Sequence, residues 1–473
     1  MAFELDCDDG LRGGVFTHNL INTLHQVSPV QTTYAGLLNL LPPLPDQDPQ
    51  CSGDNTICLL FTVTPQLDML FFTVRKSNSV GFEVNAGQTE GVAENTEFRL
   101  YQEANVRSAL LGIFAAKSVN PTSCKIISKS PQSPVSMPHI SYALVTQWEH
   151  PDARLAIFVD LEASSMTLRK AFSSIQMADA APFGVTRVSS QSDADIILYD
   201  AKGLLHITRT DRLISVYANP HIGANIELNP DRILRVLRSA AHFKFFSRRA
   251  ENVSPPHSAV RVEIYQLEES DDGQYVPIGN NLVRDGEARI FLSDEPYGIT
   301  LHNDSEHNLF PSLLYFNPSD YSIRPWYVPP SSALLAPLRS KSELLVAHGN
   351  EDGHVIKFTL KPSEHSDTGF LILYLSTQYR DMTYISQDGA FGTPSPVLLA
   401  ERAAHVTSDN GEHWSAALTI ITVVRGDPLM VPAAVDAPPI SHSPTYAVFC
   451  SVLGVILVAL FCFLLAHRPF FTQ

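Results

Sequence analysis

Phe370-Leu371-Ile372-Leu373-Tyr374-Leu375-Ser376 (FLILYLS) is an uncharged run of aliphatic and aromatic residues and a strong strand signal. Around it, Arg261–Leu267 alternates polar and apolar residues, and Arg289–Leu292 and Ile299–Leu301 read as shorter strands. Ser322–Pro330 (SIRPWYVPP) carries three prolines, which cannot donate to a ladder, so this stretch is predicted to lie at a sheet edge. The half of the chain from 258 to 425 is therefore expected to be β-sandwich-like, of the immunoglobulin type.

Working outward towards the N-terminus, residues 140–250 read as a mixed α/β segment. Leu155–Asp160 (LAIFVD) and Asp195–Tyr199 (DIILY) are strand-like, and Met166–Phe172 between them is helical. Asn229-Pro230-Asp231 predicts a helix start, an Asn cap followed by Pro at the first helical position. The helix after it presents Ile233, Leu234, Leu237 and Ala241 on one face. Arg232, Arg235, Arg238, Lys244, Arg248 and Arg249 form a basic cluster, read as a solvated face. Residues 65–126 read as a small β domain, with short runs at Met69–Val74, Gly81–Val84, Glu97–Tyr101 and Leu110–Val119 separated by turn residues. Ser128–Pro138 (SKSPQSPVSMP) reads as a linker or long loop.

Residues 1–64 predict two helices and a strand. Phe16, Leu20, Leu24 and Val27 make an amphipathic stripe, a second helix follows from Thr33, and Ile57–Thr64 (ICLLFTVT) reads as a strand buried on both faces. At the other end, 426–446 is a Pro/Ala-rich tether. Ala447–Ala466 (AVFCSVLGVILVALFCFLLA) is 20 uncharged residues, about 30 Å as a helix, which predicts a transmembrane span. With acidic residues at Glu4, Asp6, Asp8 and Asp9 in place of a secretory signal, the chain is expected to be tail-anchored and single-pass, its bulk cytosolic. The fold class predicted is thus α+β multidomain with a C-terminal transmembrane helix.

Composition narrows the function. The 473 residues carry 33 Lys plus Arg against 49 Asp plus Glu, a net charge of −16, which argues against a nucleic-acid partner. Six cysteines without any C-x-x-C, and Cys51 and Cys58 without His at ligand spacing, predict neither a disulfide framework nor a metal site. Phosphate-loop, dinucleotide and nucleophile-elbow motifs are absent, so no cofactor is expected. Cys7 beside Asp8 and Asp9 is a poor thiolate, and His348-Gly349 reads as a surface turn. The sequons at Asn252 and Asn303 are expected by chance.

Several stretches together resemble a known family. Gly13-Gly14-Val15-Phe16-Thr17, Thr33-Tyr34-Ala35 and Asp48-Pro49-Gln50-Cys51-Ser52-Gly53 before Ile57–Phe61 look like the last part of a caspase/metacaspase-type peptidase domain. Phe82–Val92 (FEVNAGQTEGV), Tyr315–Tyr327, Ala336-Pro337-Leu338-Arg339 and Asp367–Met382 resemble stretches of the large caspase-domain proteins of mushroom-forming fungi. The resemblance implies a cysteine endopeptidase with a His and a Cys ahead of the Gly13-Gly14 segment, where only 12 residues stand. Residues 1–64 are therefore expected to be the C-terminal fragment of a caspase-like domain lacking its dyad. Its uncovered apolar faces imply a protein partner docking there. The function implied is a membrane-anchored, non-catalytic binding or scaffold protein, the alternative being an endopeptidase whose catalytic part lies outside this chain.

Overall fold

Alternation of inward and outward side chains sets the local structure almost everywhere. The computed structural model describes residues 4–6, 12–26, 37, 41, 71–76, 81–106, 108–129, 138, 140–162, 164–174, 182–252, 259–271, 273–329, 335–349, 355–362, 364–391 and 414–425. Of the described residues, strand makes up 46% and helix 19%, which corrects the α+β expectation to a mainly β architecture of one barrel and several sheets. Met1–Arg425 forms one unit; Gly426–Gln473 forms a second, none of whose residues is among those described.

A hairpin of β1 (Glu4–Asp6) and β2 (Arg12–Gly14) leads into α1 (Val15–Gln26), the helix that the stripe from Phe16 predicts. The helix from Thr33 and the strand Ile57–Thr64 lie outside the described residues. The expected fragment, and the partner docking on it, rested on α1 together with those two elements, and of the three only α1 is described.

The next six strands are β3 (Phe71–Lys76), β4 (Phe82–Val84), β5 (Glu97–Tyr101), β6 (Leu110–Val119), β7 (Cys124–Ser128) and β8 (Ile140–Gln147). They close an antiparallel barrel in the order β3-β4-β7-β6-β5-β8. The consecutive strands β5, β6 and β7, with β8 returning to pair with β5, make a Greek key. Closure follows from period-two patterning: Phe98 and Leu100 of β5, and Cys124 and Ile126 of β7, are buried, while Arg99, Lys125 and Ile127 between or beside them are exposed.

A five-stranded sheet follows, built from β9 (Arg154–Val159), α2 (Met166–Ser174), β10 (Gly184–Arg187), β11 (Ile196–Ala201), β12 (Leu204–Arg209), α3 (Arg212–Tyr217) and β13 (His221–Glu227). Its order is β10-β9-β11-β12-β13, parallel among the first three strands and antiparallel thereafter. Lys202 (φ 54°) and Gly203 (φ 78°) make the tight turn that joins β11 to β12, since a two-residue hairpin loop of this hand requires positive φ at both positions. The long helix α4 (Pro230–Asn252) then crosses to the C-terminal half.

There β14 (Val260–Glu269), β15 (Tyr275–Ile278), β16 (Val283–Arg284), β17 (Glu287–Phe291), β18 (Tyr297–Asn303), β19 (Phe310–Asn317), β20 (Ser322–Tyr327), β21 (Ser342–Val346), β22 (Ser366–Ser376) and β23 (Trp414–Val424) form two sheets. One is β15-β14-β18-β21; the other is β16-β17-β23-β22-β19-β20, in which only β17 and β23 run parallel. The Pro-containing strand β20 stands at an edge, where proline is tolerated. Strand β22 explains its own sequence. Leu371, Leu373 and Leu375 enter the core between the two sheets with Ile264, Ile299, Leu301 and Ile421. Phe370, Ile372 and Tyr374 enter a second core that continues through α4 and the five-stranded sheet into the barrel. A strand covered on both faces has no polar positions to alternate with.

The expected membrane span finds no support. Among the described residues no helix is long and apolar enough to cross a membrane. The longest, α4, carries Asp231, Arg232, Arg235, Arg238, Lys244, Arg248 and Arg249. The run 447–466 and the tether 426–446 lie outside the described residues. The expectations of a transmembrane helix, of a membrane as partner and of a single-pass chain with a cytosolic bulk are withdrawn accordingly.

Candidate functional site: a charged cavity along the long helix

Helix α4 begins as its sequence predicts. Asn229 Oδ1 accepts the Asp231 N–H at 2.9 Å, and Pro230 occupies the position whose missing donor costs nothing. Over 23 residues, about 34 Å, it buries Ile233, Val236, Leu237, Ala240, Ala241, Phe243, Phe245, Phe246 and Ala250. It packs on β9, β10 and α2, and also on β20, β22 and β23, so the helix is shared by the five-stranded sheet and the sandwich.

Of the basic cluster, Arg232 and Arg238 are exposed, as the solvated face that the sequence suggests requires, but Arg235, Lys244, Arg248 and Arg249 are turned to partners within the fold. Lys244 Nζ lies 2.6 Å from Asp195 Oδ2 and donates to the Arg154 carbonyl at 2.8 Å. Arg248 donates through Nε (3.1 Å) and Nη2 (2.5 Å) to Asp211 Oδ2. Asp211 Oδ1 in turn caps α3, accepting the Leu213 and Ile214 N–H groups at 3.0 and 3.4 Å. Arg235 reaches the Gly389 carbonyl at 3.0 Å. The acceptors sit far away in sequence, which is why a helical wheel shows a charged face and not its partners.

Lys244 and Asp195 border a cavity of about 20 Å³, lined also by Asp211, Arg209, Tyr321 and Phe243. That is room for one small polar species. Arg209, 2% exposed, donates through its two terminal nitrogens to the carbonyls of Pro318 and Asn219 and through Nε to Pro220 O at 3.4 Å. Burial pushes its pKa down. Its guanidinium carbon stands 5.7 Å from the centre of the Tyr321 ring. Tyr321 is 2% exposed and its hydroxyl has no hydrogen-bond partner. Burial pushes that phenol's pKa well up, opposed by the nearby Arg209 charge.

At the far end of α4, two of the stretches singled out in the sequence meet. Arg380, from the 367–382 stretch, donates to Asn85 Oδ1 at 3.0 Å and to Thr122 O at 2.7 Å, and its Nε lies 3.6 Å from Glu90 Oε1. Glu90, 1% exposed, closes the 82–92 loop by accepting the Gly87 N–H at 2.7 Å. Arg249 donates to the carbonyls of Gln88 and Thr89, the latter at 2.7 Å, and lies 5.1 Å from the Trp414 ring centre. Gly91 (φ 99°) rests on Phe245, whose ring would stand 2.6 Å from an added Cβ, so only glycine fits. Arginines from the helix and from the sandwich thus clamp one loop of the barrel.

Groups suited to nucleophilic chemistry are dispersed. Cys124 is buried in the barrel, and burial with the nearby Glu90 and Glu83 charges pushes its thiol pKa far up. Cys7, Cys51 and Cys58 lie outside the described residues. His348 is not in the surface turn that its sequence suggests: it is 2% exposed, packed over Gly298 and bridged to Val355. Its Nε2 lies 3.4 Å from Thr300 Oγ1, and burial lowers its pKa. Asn303 is 1% exposed, and its amide donates to the His307 and Arg339 carbonyls at 2.8 Å each, which closes that sequon to glycosylation in the folded chain. Among the described residues no group of three or more His, Cys, Asp or Glu could hold a metal ion.

His242 of α4 gives a pH dependence. Its ring is set against Phe183 and Phe246, its Nε2 is 2.8 Å from Ile385 O, and burial pushes its pKa down to about 4. The unfolded histidine, near 6.5, binds a proton that the folded one refuses. Stability is therefore fully present above pH 6.5 and is lost as pH falls towards 4, by up to about 3 kcal/mol. Urea titrations at each pH should show this limb, and His242→Gln, which keeps a donor for Ile385 O and cannot titrate, should flatten it.

No known protein-family model matches this chain, and no curated protein matches it.

Proposed function

We propose that this chain is a non-catalytic binding or scaffold protein, and that its resemblance to the fungal caspase-like proteins is that of a member working without peptidase chemistry. One observation carries the reading: Lys244, Arg248, Arg249 and Arg380 are committed to holding barrel, sheet, helix and sandwich together. The Cys124 thiol is buried, and burial with the Glu90 and Glu83 charges holds it protonated, unlike an activated nucleophile. The buried arginines Arg249 and Arg380 grip backbone carbonyls of the 85–92 loop and Thr122. Such a body suits the rigid presentation of surfaces, because binding surfaces work best when their supports do not reorganise.

Purified full-length protein, incubated with peptides bearing acidic or basic residues before the scissile bond, should show no turnover. Iodoacetamide should leave Cys124 unmodified until the protein is denatured, as read by peptide mass mapping. Hydrolysis that thiol alkylation abolishes would sink the proposal and favour a cysteine endopeptidase.

A further inference from the structure

We propose that the free edge of β13 is a docking edge for a second copy of this chain, which pairs with it antiparallel about Ala224 and joins two five-stranded sheets. The inference does not depend on whether the protein is catalytic. A sheet edge is a template for another strand unless it is short, charged, interrupted by proline or closed into a barrel. The barrel has no edge. Most other edges are blunted. Strands β1 and β2 have three residues each, β10 and β15 four and β16 two. Strands β15 and β20 contain Pro277 and Pro325, and β21 carries Glu343 directly after Lys341 and Ser342. Among the described residues β13 is the longest edge strand, seven residues paired on one side, with β12, and it holds neither proline nor formal charge between His221 and Glu227.

The edge is complementary to itself. The Arg209 N–H donates to Pro220 O at 2.8 Å, and Leu204 closes the two-residue hairpin towards β11. His221 and Glu227, opposite Thr208 and Leu204, therefore turn their backbone groups away from β12. Two of those four groups are used locally: the His221 N–H donates to Asn219 Oδ1 at 2.9 Å, and Glu227 O accepts the Asn229 N–H at 2.8 Å. What faces outwards is the Glu227 N–H and the His221 carbonyl. Pairing about Ala224 sets His221 opposite Glu227 of the second copy, so this donor meets this acceptor twice across the two-fold axis. Ile222 then stands opposite Ile226 of the second copy, both being members of the core under α4. The side chains agree with the backbone. His221 and Glu227 are exposed, and Thr208 Oγ1 holds His221 Nδ1 at 3.0 Å, which leaves Nε2 for the opposing carboxylate.

Pairing along one strand edge is a small interface, so the association belongs to the transient class. Sedimentation velocity of the full chain should show the mass rising from one chain towards two as concentration is raised through the micromolar range. Glu227→Lys sets a cation against His221 in both symmetric pairs and should weaken self-association about tenfold. Adding His221→Glu to that variant restores opposite charges across the axis and should recover the association. In the wild-type protein, hydrogen exchange of peptides covering 221–227 should slow as concentration rises, a readout that needs no variant to fold. A chain that stays monomeric, a dimer that Glu227→Lys leaves unchanged, a loss that His221→Glu does not recover, or exchange at 221–227 indifferent to concentration overturns the proposal.

Discussion

Arg380→Ala is expected to destabilise the protein by about 3–5 kcal/mol, the cost of leaving a buried charge without its partner. Glu90 is 1% exposed, and Arg380 Nε, 3.6 Å from its Oε1, is the cationic group paired with it. The same substitution strips the Thr122 carbonyl and Asn85 Oδ1 of donors at 2.7 and 3.0 Å. A buried acceptor left unsatisfied adds its desolvation penalty. Urea denaturation of wild type, Arg380→Ala, Glu90→Gln and the double variant measures the effect. The double variant should be much less destabilised than the sum of the singles, because removing both charges removes the burial problem. A loss below about 1 kcal/mol for Arg380→Ala would show that the clamp is solvated and that the barrel loop is held by other contacts.

Phe243→Ala should cost a comparable 3–5 kcal/mol, roughly, from lost apolar burial and the void left behind. The ring is 1% exposed and meets Phe316, Tyr321 and Phe370 at centroid distances of 5.4, 5.5 and 6.5 Å. Those three belong to the sandwich, so Phe243 is the principal aromatic tie between α4 and the second face of its larger sheet. It also lines the small cavity, and truncation would enlarge a space that two flanking ion pairs keep from collapsing. Phe243→Leu should lose less. A small effect in the alanine variant, read as an unchanged unfolding midpoint, would mean that the helix and the sheet are joined elsewhere.

Much of the local structure was legible in the sequence, and little of the site was. Glu97–Tyr101 and Leu110–Val119 could be read as strands because alternation is a local property, and α4 could be placed because Asn229-Pro230-Asp231 is a local capping signal. Prolines marked Ser322–Tyr327 as an edge strand for a reason internal to the residues. The partners of Lys244, Arg248 and Arg209 lie 49, 37 and up to 109 residues away, so a charged helix face and a committed set of ion pairs look alike in one dimension. His348 misled for a related reason: a His-Gly pair between strands resembles a turn, and only the packing over Gly298 shows it to be enclosed. The stretch that predicts a membrane helix lies outside the described residues, and of the expected α/β fragment only its first helix, with the hairpin before it, is described. What is described between Phe71 and Val424 is mostly sheet.

The two-faced burial of β22 has a further meaning for how this chain could be divided. One row of its side chains belongs to the sandwich core and the alternate row to the core shared with α4 and the barrel. A piece starting near residue 258 would display Phe370, Ile372 and Tyr374 to water, and a piece ending there would leave Phe243 and Phe246 bare. Neither half is a portable module. The C-terminal sheets could not have been borrowed, swapped or expressed alone without a new cover for that face, so the repertoire of architectures in which this sandwich can occur is limited to those that bring such a helix with it.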